Sequence, residues 1–111
     1  MANLCDNQIA IYPKNGRKIS TKQREKILNY FNSERLHEVL YGISIDYEDE
    51  DFIEAQGDSK WNVRAEEWAQ FAKEMGVNVR IIGTEFGVGF IQVVKCWVNG
   101  TYTEEEIDLA M

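Results

Sequence analysis

The longest stretch that reads as extended chain lies between Gly87 and Thr103, GVGFIQVVKCWVNGTYT, and both of its faces are mostly apolar. Val88, Phe90, Gln92, Val94, Cys96 and Val98 share one face of an extended chain, and Gly89, Ile91, Val93, Lys95 and Trp97 share the other. Asn99-Gly100 between β-forming residues marks a two-residue hairpin, because both central positions of that turn need positive φ. The pattern predicts a long strand over 88–98, a tight turn and a returning strand.

The remaining elements follow from the same two periods. Ile9 and Ile11 alternate within a strand over Gln8 to Tyr12, ended by Pro13 and a turn at Lys14-Asn15-Gly16-Arg17. Ser20 with Gln23 forms a capping-box pattern, and Ile27, Leu28 and Phe31 recur at helical spacing, predicting a helix over Thr21 to Phe31. Val39, Tyr41, Ile43, Ile45 and Tyr47 alternate with Leu40, Gly42, Ser44 and Asp46 as in a half-buried strand. Phe52 to Gln56 reads as its short return, which makes the charged run between them a hairpin tip. Ala65, Trp68, Phe71, Ala72 and Met75 lie on one helical face, with Gly76 where a left-handed cap is needed, predicting a helix over 64–75. Val77, Val79 and Ile81 then alternate before Gly83. In the tail, Glu104-Glu105-Glu106 suits a first helical turn, whereas Ile107, Leu109 and Met111 alternate as in a strand, and both readings stand.

The order β, α, β, β, α, β with an added C-terminal hairpin predicts an α+β ferredoxin-like domain, 1–111. It has an antiparallel sheet with both helices on one face and its first four strands in the order 4-1-3-2. Phe31, Ile43, Trp68, Phe71 and Val79 are the expected core. Trp97, in a strand with two apolar faces, is expected in core or dimer packing.

Charge changes the picture more than composition does. The net charge is −7, yet residues 1–37 carry seven Lys/Arg against three Asp/Glu while residues 38–111 carry five against sixteen. An acidic body with a basic N-terminal segment disfavours broad nucleic-acid binding, which draws its affinity from a basic surface. The N-terminus lacks the basic and apolar regions of a secretory signal, and the two cysteines are far apart. A reducing host cytoplasm, no membrane span and no disulfide are therefore expected.

Three islands carry a resemblance. Met1 to Asn7 (MANLCDN), Gly57 to Trp61 (GDSKW) and Glu85 to Phe90 (EFGVGF) resemble, in order, the YubB-type ferredoxin-like family of small phage and plasmid proteins. The resemblance implies a mobile-element origin and the same fold. It supplies no catalytic residue.

Among candidate chemistries, Asp46, Glu48 and Glu50 have the alternation of a calcium loop. An EF-hand is excluded because its sixth position would be Asp51 rather than glycine and its twelfth Gly57 rather than glutamate. His37 is the only histidine, and neither Cys5 nor Cys96 has a metal-ligand neighbour, so no metal or cofactor is expected. The glycines at 83, 87 and 89 precede no helix and form no phosphate loop; they read as turn and close-packing residues. No base, nucleophile or cofactor motif points to an enzyme.

The expected function is that of a non-enzymatic interaction protein. Asp46, Glu48, Asp49, Glu50, Asp51 and Glu54 are six acids without a base within residues 46–54, a carboxylate patch suited to a basic surface on a host protein. Such a host protein includes nucleic-acid-binding or defence proteins, CRISPR effectors among them. The alternative expectation is a small nucleic-acid-binding module using the basic edge of the first helix (Lys14, Arg17, Lys18, Lys22, Arg24, Lys26) and an exposed sheet aromatic.

Overall fold

The computed structural model describes residues 4–33, 41–60, 63–85 and 89–108. Within them the chain forms β1 (Leu4–Pro13), α1 (Thr21–Phe31), β2 (Tyr41–Glu48), β3 (Ile53–Lys60), α2 (Ala65–Met75), β4 (Val77–Glu85), β5 (Phe90–Cys96) and β6 (Tyr102–Asp108). The expected positions Val39, Leu40, His37, Trp61, Gly87, Leu109 and Met111 lie outside the described residues. No described helix is long and apolar enough to cross a membrane.

This is an α+β fold: one six-stranded antiparallel sheet and two helices. The strand order is β2-β3-β1-β4-β5-β6, so β5 and β6 extend the sheet beyond β4, past a simple four-stranded arrangement. Register follows side-chain parity. Ile9 stands between Ala55 and Ile81, Ile11 between Ile53 and Val79, and Val94 and Cys96 continue the same face opposite Ile81 and Val79. All of these are buried, and they form one core cluster with Ile27 and Phe31 of α1 and Trp68, Phe71 and Met75 of α2. At its centre Phe31 stacks on Phe71 at 5.9 Å, and Trp68 meets the Phe71 ring edge-on at 5.3 Å. Phe31, Trp68, Phe71 and Val79 are buried as expected, whereas Ile43 is partly buried at the margin of the core.

Local signals explain the helix ends. The Gln23 N–H donates to Ser20 Oγ (3.0 Å) and the Ser20 N–H to Gln23 Oε1 (3.1 Å), the reciprocal capping box. The same Gln23 side chain donates to the carbonyls of Met75 and Gly76, joining the start of α1 to the end of α2. Gly76 closes α2 at φ +69°.

The C-terminal hairpin departs from expectation in two ways. Its first strand stops at Cys96, and its loop has three residues: the Gly100 N–H closes on the Trp97 carbonyl at 2.9 Å, while Gly100 takes φ +87°. This is a type I turn followed by a left-handed bulge residue, in which Val98 and Asn99 are the central pair. As far as residue 108 the tail is a strand, with every residue of β6 exposed. Trp97 therefore sits at the turn, 40% exposed, and is not a core residue.

Candidate interaction surfaces

The β2–β3 turn is built by one of the predicted acids. Asp49 Oδ1 accepts the N–H groups of Asp51 (2.7 Å) and Phe52 (3.0 Å), replacing a main-chain acceptor at the tip, and Oδ2 accepts the Tyr47 hydroxyl at 2.5 Å. These bonds, the one from Tyr47 foremost, hold the Asp49 carboxyl below its ordinary range. Asp49 is thus committed to the turn.

Glu50 and Asp51 are committed in another way. Lys18 reaches across from the basic segment to within 2.8 Å of Glu50 Oε1 and 3.3 Å of Asp51 Oδ1, and the Ile19 N–H donates to the Glu50 carbonyl at 2.7 Å. The Glu50 hydrogen bond leads the effects that raise the Lys18 ammonium above its usual value. The basic and acidic surfaces expected from the sequence meet at this point and partly neutralise each other.

The other three predicted acids stand on strands. Asp46 and Glu54 line a shallow recess on the sheet face opposite the core, together with Gln8, Gln56 and Arg80. Glu48 pairs with the buried Ile53, at a position that belongs to the helix side of the sheet. The six acids are therefore neighbours in sequence spread over a turn and both sides of a sheet edge.

A second acidic surface lies at the opposite edge. Glu104, Glu105, Glu106 and Asp108 occupy β6, which has a sheet neighbour on one side only. Register places Glu104, Glu106 and Asp108 opposite Val94, Gln92 and Phe90, and Glu105 opposite Val93 on the other face. Gln92, which is buried, donates to Glu104 from its side-chain nitrogen and accepts the Val63 N–H at 2.9 Å through its Oε1, tying β6 to the segment before α2. Sequence reasoning missed this surface because three glutamates in a row suit a helix start equally well.

Under one end of the sheet lies a small buried polar group. Cys5 pairs in register with Ser59 on β3 and Glu85 on β4, and Asn7 donates to the Cys5 carbonyl and to Ser59 Oγ. The described parts of the three islands of resemblance meet here. Burial, set against a hydrogen bond with Ser59, pushes the Cys5 thiol up to about 11, and burial alone pushes Cys96 to about 12. Neither sulfur is a thiolate at neutral pH, and both cysteines are free. Among the described residues no three His, Cys, Asp or Glu side chains are placed to hold a metal ion.

The sheet face opposite the core is uncovered by α1 and α2 and carries mixed chemistry. Tyr12, Tyr47, Trp97 and Ile107 are exposed on or beside it, and Ile82, Ile91 and Val93 are half-buried between them. Comparison with protein-family models, curated proteins and solved structures returns no match.

Proposed function

We propose that this chain is a non-enzymatic interaction protein of a phage or other mobile element. In the host cytoplasm, its acidic sheet edges occupy a basic surface on a host protein that otherwise grips nucleic acid, a CRISPR effector or another defence protein being the target class. The β6 edge carries the reading. Four exposed carboxylates stand within Glu104–Asp108, and none of Glu104, Glu105 and Glu106 forms an ion pair with a described residue. Consecutive strand residues rise about 3.4 Å. Glu104, Glu106 and Asp108 thus share one face at about 6.8 Å per charge, and Glu105 carries a further charge on the other. The acids of β2 and its turn mark the other edge, five strand spacings or about 24 Å away.

The same reading treats β4-β1-β3-β2 with the two helices as a ferredoxin-like core, in keeping with the YubB-type resemblance, and β5-β6 as an extension that presents the acids. Self-association along β6 is disfavoured because like charges would face each other, whereas a basic partner gains from them. Competition tests the proposal. A protein recovered from a host lysate on this chain should lose its nucleic acid as the chain is added, and its affinity for the chain should fall at raised salt. A partner that binds nucleic acid and this chain simultaneously would contradict the reading.

A further inference from the structure

Between Tyr12 and Trp97 the open sheet face forms a groove of about 380 Å³, floored by Asn78 and flanked by Arg80 and Lys95. We propose that this groove binds a nucleotide, its base held between the two aromatic rings and its phosphate on Arg80 and Lys95. The site is independent of the acidic edges, since it lies on the interior strands β1, β4 and β5 and at the first residue of the β5–β6 loop.

Spacing supplies the first argument. Tyr12 pairs with Asn78, and Trp97 follows on the strand beyond, so the two aromatic positions are two strand spacings, about 10 Å, apart. The short Asn78 side chain leaves the space between them open. A planar ring needs about 3.5 Å on each side, about 7 Å in all, so a slot of this width admits one ring. Tyr12 is 37% exposed and Trp97 40%, and no ring contact between them closes it.

Charge supplies the second argument. Arg80 and Lys95 are direct cross-strand partners, an arrangement in which like charges repel. Both are exposed, and neither is paired with a carboxylate among the described residues, although the chain has 19 Asp and Glu to offer. The Arg80 guanidinium instead lies 6.0 Å from the Tyr12 ring centroid. An anion placed over the pair removes their repulsion. Asn78 adds a hydrogen-bonding edge: its Oδ1 accepts the Val98 N–H at 3.2 Å, and its Nδ2 donates to no described residue.

A flat ring, a hydrogen-bonding edge and an anion within one small-ligand volume describe a nucleotide. The free form is favoured over a unit within a longer strand, because further phosphates would run toward Glu54 and Asp46 on one side and Glu105 on the other.

Titration of the full chain with AMP, followed by amide chemical shifts and Trp fluorescence, tests this. The expected result is saturable binding with shifts centred on Tyr12, Asn78, Lys95 and Trp97. Adenosine, inorganic phosphate and phenyl phosphate should each bind at least about tenfold more weakly, and Arg80→Gln with Lys95→Gln should weaken AMP by at least about tenfold while leaving the melting temperature within a few degrees. Trp97→Ala should weaken AMP and adenosine alike. Shifts elsewhere, an unchanged affinity in the double variant, or phenyl phosphate matching AMP would overturn the proposal. An eight-nucleotide single strand binding more tightly than AMP would overturn the assignment to a free nucleotide.

Discussion

Lys18 Nζ stands 2.8 Å from Glu50 Oε1, joining the basic segment after β1 to the acidic turn between β2 and β3 across 32 residues of sequence. That contact moves the weight of the acidic surface from the turn to β6. It is exposed on both sides, so its worth is modest. Lys18→Met should leave the urea-unfolding midpoint nearly unchanged, and any difference should vanish at high salt. A large drop in the midpoint, insensitive to salt, would show that the contact is a structural clamp.

Trp68 is 1% exposed, with Phe31 and Phe71 against its ring. Trp68→Ala removes the largest side chain of the core and should cost about 3 to 5 kcal/mol. Equilibrium unfolding measures this directly, and a cost near zero would mean that the two helices do not share one core.

Gly83 lies inside β4 where a Cβ would stand 2.4 Å from Val63 Cγ2 and 2.8 Å from Cys5 Sγ. Gly83→Ala should therefore destabilise by about 1 to 3 kcal/mol through overpacking. Adding Val63→Ala relieves the closest contact, so the double variant should lose less than the sum of the singles. Strict additivity would contradict the packing.

Alkaline pH provides a separate check on Cys96. Its folded pKa, raised by burial to about 12 from an ordinary 9.0, means that the unfolded chain gives up this proton first. Stability from this group is whole below pH 9 and is lost as pH rises toward 12, amounting to about 2 kcal/mol by pH 10.5. Cys96→Val should flatten this part of the stability profile. Parallel profiles for the two proteins between pH 8 and 10.5 would place Cys96 in water.

Helix ends were legible because their signals are local: Ser20 with Gln23 caps α1, and Gly76 stops α2. Asn99-Gly100 located a turn but not its type, since either loop length needs a glycine at positive φ and only the register of Cys96 with Tyr102 distinguishes them. β6 was ambiguous because its residues are all exposed and no buried face sets a period. The acidic run misled by contiguity. The β-bulge between Ile45 and Tyr47 sends Asp46 and Glu48 to different sides where plain alternation would keep them together, Asp49 is consumed by the turn, and Lys18 is too distant in sequence to be seen as a partner.

We propose that the β6 carboxylates bind a basic host surface. Affinity for a recovered partner should be compared at low salt between the unaltered chain and one with Glu104, Glu105 and Glu106 replaced by Gln, with Glu48→Gln and Glu50→Gln as a second variant at the other edge. The account predicts unchanged folding, at least about tenfold weaker binding in the β6 variant, a loss of about 1.4 kcal/mol, and a smaller effect in the second variant. Equal affinity of the β6 variant and the unaltered chain would contradict it.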